Sequence, residues 1–154
     1  MAEASVTYAL EAVAFADRFG AEVVTVHPGR RTAKRPPSPA DYRRFDRLIA
    51  ALRETASGVK VKVAIENMER KVNNLLTSPE DIRRLLDQED WLWFTLDVSH
   101  AMGTSLAEVG AFVELCGDRL ANVHLSRASD GKMHLALSGH PDGRAVLTLS
   151  LIHI

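Results

Sequence analysis

Four apolar stretches of this chain, each short enough to be a strand, end on a side chain able to bind a metal ion. Glu22–His27, Val59–Glu66, Trp93–Asp97 and Leu120–Leu125 read as strands, and His27, Glu66, Asp97 and His124 stand at or beside their C-terminal ends. The intervals between these four residues are 39, 31 and 27, each the length of one strand–helix unit. Parallel strands joined by right-handed crossovers bring their C-terminal ends to one side. In a barrel those ends converge on a single face.

The segments between the strands carry the helices this arrangement needs. Residues 3–19 place Val6, Leu10, Val13, Ala14 and Phe15 at helical spacing, and Gly20 is a natural stop. Ser38-Pro39 opens a helix to about Ser57, with serine as cap and proline at the first helical position. Ser78-Pro79-Glu80-Asp81 repeats the device for a helix to about Gln88. Ser105 caps a further helix ending near Cys116. Strands alternating with helices imply a parallel α/β sheet. The stretches Asn67–Thr77 and Ser126–Gly143 read as loops.

Side-chain parity sharpens the barrel reading. Residues two apart on a strand share a face. Two positions before each metal-type residue stand Thr25, Ala64, Thr95 and Asn122, which are small or polar. One position before stand Val26, Ile65, Leu96 and Val123, all apolar. The apolar set is expected to pack on outer helices and the other set to point inward. His100, three residues after Asp97, and His134, beyond His124, could join the inward group. Burying carboxylates with imidazoles is costly without a counter-charge. A divalent cation supplies one, and this mixed oxygen and nitrogen set suits Zn²⁺, Mn²⁺, Co²⁺ or Fe²⁺ better than Ca²⁺.

The order and wording of the strand ends resemble the xylose isomerase-like TIM-barrel superfamily, which includes sugar phosphate isomerases/epimerases and endonuclease IV. Val26-His27-Pro28-Gly29, Ile65-Glu66-Asn67, Leu96-Asp97-Val98-Ser99-His100, Val123-His124-Leu125-Ser126 and Asp130-Gly131-Lys132-Met133-His134 carry the likeness, which spans roughly residues 5–143. It implies a (β/α)8 barrel, present here as a partial barrel of about four to five βα units. It also implies a core metal (Mn²⁺, Zn²⁺, Co²⁺ or Mg²⁺) held by Glu66, Asp97 and His124. His27 and His134 would serve a further metal, and His27, Asn67, His100, Arg30 and Arg31 the substrate. Glu66 and His100 would be catalytic. Lys132 stands where the endonuclease IV pattern has aspartate, and Gly139–Gly143 is an altered version of its turn.

Two activities follow from the resemblance. In a sugar or sugar-phosphate isomerase/epimerase, a metal-held hydroxy-ketone loses a proton to Glu66 by way of an enediolate. In an endonuclease IV-like phosphodiesterase, clustered zinc ions activate hydroxide at abasic sites in DNA. The segment Arg30–Arg47 holds seven basic residues against two acidic ones, a rim that could meet a phosphate. The whole chain, however, has a formal net charge of −1, which argues for neither nucleic acid nor membrane. A third reading is an inactive fragment with an aggregation-prone sheet edge, or one that oligomerises.

The ends of the chain shape these expectations. A full barrel has eight strands and about 250 residues, and the strands found match the fourth to seventh unless a short one hides in residues 46–60. Helix 3–19 opens the chain without a first strand, so Met1 is read as an internal or miscalled start. No acidic residue follows Asp142 to supply the eighth strand's glutamate. Leu149–Ile154 matches a translated transposon sequencing adapter, so residues 1–148 are taken as the partial barrel and 149–154 as a non-native tail. Cys116 is the single cysteine, in keeping with a reducing, cytoplasmic setting. No signal peptide or membrane span is expected.

Overall fold

A computed structural model describes residues 3–29, 31, 33–138, 144, 145 and 148. The expectations on Arg30, on Gly139–Gly143 and on the 149–154 tail lie outside the described residues.

Four strands form one parallel sheet in the order β1 (Val23–Val26), β2 (Lys62–Glu66), β3 (Trp93–Asp97), β4 (Leu120–His124). Helix α1 (Glu3–Arg18) precedes β1, α2 (Pro39–Ala56) joins β1 to β2, and α3 (Pro79–Gln88) joins β2 to β3. The short α4 (Val98–Met102) and α5 (Leu106–Cys116) join β3 to β4. β1 pairs directly with β2, Val23 opposite Lys62 and Val26 opposite Ile65. Residues 46–56 are helical. The strands are therefore consecutive, and no strand hides between the first two.

The helices begin where the sequence caps them. The Asp41 carboxylate accepts hydrogen bonds from the Ser38 N–H and hydroxyl, both at 2.8 Å, closing the first turn of α2. Ser78 Oγ accepts from Asp81 N at 3.2 Å and Ser105 Oγ from Glu108 N at 3.1 Å. Gly20 ends α1 with φ of 71°, a conformation that costs glycine little.

β2 begins three residues later than its sequence suggests. Asp17 is the cause: its carboxylate takes the N–H groups of Lys60 (2.7 Å) and Val61 (3.2 Å). Those donors are thereby lost to the ladder.

The core lies between sheet and helices. Val26, Val63, Ile65, Phe94 and Leu96 face Leu48, Leu52, Ile82, Leu86 and Phe112 in one buried cluster. The opposite face of the sheet is polar and curls. Thr25 Oγ1 on β1 meets Thr95 Oγ1 on β3 at 2.9 Å, and Asn122 Nδ2 on β4 donates to Thr25 Oγ1 at 3.3 Å. Those contacts skip intervening strands, so the sheet is a half-barrel with these residues inside. Nearer the N-terminal ends, the Lys62 ammonium sits 4.2 Å from the centre of the Trp93 ring. At Ala121 the β3–β4 register slips by one residue, so that Thr95 faces Asn122 and Asp97 faces His124. The bulge keeps Asn122 and His124 in phase with the inward set.

Two elements fall in stretches that read as loop. β5 (Arg127–Ser129) and β6 (Lys132–Leu135) form an antiparallel hairpin. Asp130 and Gly131 make its turn with φ of 52° and 73°, the two positive values a type I′ turn requires. Asp-Gly is the sequence signal for that turn. Helix α4 starts because Asp97 Oδ1 accepts the His100 N–H at 2.8 Å.

Candidate metal centre

β2, β3 and β4 deliver Glu66, Asp97 and His124 side by side. One ligand atom from each lies within 4.8 Å of the other two. His124 Nδ1 donates to Glu66 Oε1 at 3.0 Å and stands 3.7 Å from Asp97 Oδ2. His27, just past β1, places Nε2 2.5 Å from Glu66 Oε2. That contact lacks hydrogen-bond geometry, and Glu66 Oε2 is buried without a hydrogen-bond partner.

Burial pushes the Glu66 carboxyl up, but the His27 and His124 imidazoles outweigh it and hold its pKa at about 2. Asp97 moves the other way. Burial raises it, only partly offset by the His100 N–H, and the Glu66 charge raises it further. The Glu66 carboxylate raises the His27 imidazole, with burial opposing. Asp97 is thus the carboxylate left short of positive charge. The buried Glu66 Oε2, close to His27 but without a hydrogen bond, and the raised Asp97 fit a divalent cation held by carboxylate and imidazole.

A second group, Asp97, His100 and His134, also has ligand atoms within 4.8 Å of one another and shares Asp97 with the first. The His100 and His134 rings meet edge to face, 5.2 Å between centroids. His134 comes from β6 in a left-handed conformation, φ 55°, and its N–H donates to Ser99 Oγ at 2.8 Å. Ser99 Oγ also donates to the Arg127 carbonyl at 3.3 Å, so one buried hydroxyl ties both strands of the hairpin to α4. Sequence reading passed over Ser99, although it sits inside the Asp97–His100 motif.

Asn67 and Arg31 both hydrogen-bond to main chain. Asn67 is fully buried. Its Oδ1 accepts the Asp97 N–H at 2.7 Å and its Nδ2 donates to the Asp97 carbonyl at 3.0 Å. Arg31 donates to the carbonyls of Arg35 (2.9 Å) and Val72 (2.6 Å) and lies 3.5 Å from Asp41. Asp41 also meets Arg35 and Arg44, so three of the seven basic residues of this segment gather on one carboxylate. The segment borders an open cleft of about 800 Å³ that reaches His27 and Thr25. Glu69 is an unforeseen neighbour, with Oε2 3.7 Å from His100 Nε2.

Comparison with known proteins bears on the fold and the family. The family described as xylose isomerase-like TIM barrel matches residues 1–147. An uncharacterised protein of Methanocaldococcus jannaschii is 28% identical over 136 residues, which cover 88% of this chain and 49% of that protein. The structure of a D-tagatose 3-epimerase-like protein superposes with a TM-score of 0.69 at 23% identity, covering 94% of this chain and 56% of that one. The 3-keto-D-glucoside 4-epimerase of E. coli superposes with a TM-score of 0.73 at 18% identity, covering 94% and 57%. The chain therefore spans about half the length of the relatives it matches. No helix among the described residues is long and apolar enough to cross a membrane.

Proposed function

This chain belongs to the xylose isomerase-like TIM-barrel family, and on that premise we propose that it carries most of the metal site of a sugar or sugar-phosphate isomerase/epimerase. The observation that carries the proposal is the convergence of Glu66, Asp97 and His124 from three adjacent strands. Structural likeness to sugar epimerases supports the choice of reaction class.

In this reading Glu66, Asp97 and His124 hold a divalent cation, with Mn²⁺, Zn²⁺, Co²⁺ and Mg²⁺ as candidates. The cation supplies the charge that makes a proton beside a substrate carbonyl acidic. Glu66, ionised at neutral pH, accepts that proton, and its burial keeps water from competing. His27, 62% exposed at the mouth, meets the substrate. His100 orients a substrate hydroxyl through Nε2, because its Nδ1 faces the Asn67 carbonyl. His134 closes the site from the hairpin side.

The test uses the longest form of the protein that its gene encodes. Ketoses and ketose phosphates are incubated with metal-loaded protein in D2O. Epimerisation with deuterium incorporated at the carbon beside the carbonyl is the expected result. Isomerisation in the complete absence of bound metal would defeat the proposal.

The Asp97–His100–His134 group favours a second reading, a multi-metal phosphodiesterase acting at abasic DNA. Cleavage of an abasic duplex, with DNA binding that weakens steeply in salt, would select it. The gathering of Arg31, Arg35 and Arg44 on Asp41 weighs against it.

A further inference from the structure

The residue that organises the donor set is Asn67, which contributes no ligand atom to it. We propose that Asn67 is a positioning residue that locks the Asp97 carboxylate in place and sets which nitrogen of His100 is free. Its side chain forms a two-point clamp across the ends of β2 and β3, on the Asp97 N–H at 2.7 Å and the Asp97 carbonyl at 3.0 Å. Ladder pairing between these strands spans Ala64–Trp93 to Glu66–Thr95. The clamp therefore continues the strand-to-strand link past the last ladder pair, at the point where Asp97 leaves β3 to cap α4.

The main chain of the same residue acts on His100. The Asn67 carbonyl lies 2.8 Å from His100 Nδ1. A carbonyl only accepts, so Nδ1 carries a proton, and in the neutral ring Nε2, 3.7 Å from Glu69 Oε2, keeps its lone pair. Both groups of Asn67 are buried, with no exposed surface on the residue, so water does not substitute for either. One residue thus holds Asp97 through its side chain and His100 through its carbonyl. Partners of this kind, which hold a ligand's orientation and tautomer, commonly contribute 10–100-fold to metal affinity.

The His100 part concerns the metal-free chain, whereas the affinity part rests on the metal site proposed above. Nitrogen-15 NMR of the 154-residue chain without metal reads the tautomer of His100. The Nδ1–H form is expected, and a predominance of the Nε2–H form found in free histidine overturns the proposal without any variant. Asn67→Ala and the near-isosteric Asn67→Leu are then compared with wild type by Zn²⁺ titration, His100 tautomer and thermal unfolding. The expected result is roughly 10–100-fold weaker Zn²⁺ binding, with His100 keeping Nδ1–H because both variants retain the Asn67 carbonyl. A variant that lowers only the melting temperature, leaving Zn²⁺ affinity at the wild-type value, shows a merely structural role and overturns the proposal. Wild-type protein that binds no Zn²⁺ but shows the Nδ1–H tautomer counts against the metal site and leaves the His100 part standing.

Discussion

Thr25 and Thr95 share a hydrogen bond of 2.9 Å although the strand of Glu66 runs between theirs. A flat sheet would hold residues on alternate strands roughly 9–10 Å apart, so this contact measures how tightly the half-barrel curls. One layer above, His27 meets Glu66 as its neighbour on the adjacent strand.

Removing the contact tests its contribution. Thr95→Val keeps the shape and deletes a buried hydroxyl, at an expected cost of about 1 kcal/mol. Urea unfolding of Thr25→Val, Thr95→Val and the double variant gives the coupling between them. Strict additivity would mean that the pair does not hold the curl.

Metal binding should stabilise the chain, because the donor set belongs to the folded state. At a free metal concentration a hundredfold above Kd, the gain is about 2.7 kcal/mol, read as a rise in melting temperature that EDTA reverses. Glu66→Gln should abolish most of the rise, and a full rise in that variant would exclude Glu66 as a ligand.

Acid should weaken the start of α2. The Arg35 guanidinium, helped by the Ser38 N–H and hydroxyl, holds the Asp41 carboxyl well below the usual carboxylate range. A depressed folded value means that this stabilisation is complete above the unfolded value of roughly 3.9. It is lost as pH falls through the lower folded value. Asp41→Asn should flatten the stability profile in that acid window. An unchanged profile would show that Asp41 contributes nothing there.

Cys116 should be inert while the chain is folded. It is fully buried, its Sγ lies 3.7 Å from the Pro79 carbonyl, and burial pushes its thiol up to about 12. A thiol reagent at pH 8 should label it only as fast as the chain opens. Labelling at the rate of a free thiol, with native circular dichroism retained, would contradict that burial.

The hairpin should loosen when Ser99 loses its hydroxyl. Ser99→Ala removes the acceptor for the His134 N–H and the donor to the Arg127 carbonyl, costing about 1–2 kcal/mol locally. Hydrogen exchange at the His134 amide should then accelerate about five- to thirtyfold, the factor that 1–2 kcal/mol represents. Exchange at the wild-type rate would mean that the hairpin is held by other contacts.

Local chemistry in the sequence was enough for the helices, the strand order and the family. Ser38-Pro39 and Ser78-Pro79 cap helices whatever surrounds them, and alternation along each strand separates Val26, Ile65 and Leu96 from the inward set. The Asp130-Gly131 turn was equally local, and its hairpin was readable from that pair. Tertiary structure decided what the polar groups do with one another. Asn67 and Arg31 carry side chains suited to a substrate. Yet Asn67 sits where β2 and β3 end together and Arg31 where two loops meet, so their hydrogen bonds go to main chain brought there from 30 and 41 residues away. Asp17 shortens β2 in the same manner, from 43 residues away. Spacing along a chain reports which face a residue occupies. Which partner satisfies a buried donor or acceptor depends on distances that exist only after the strands have curled together.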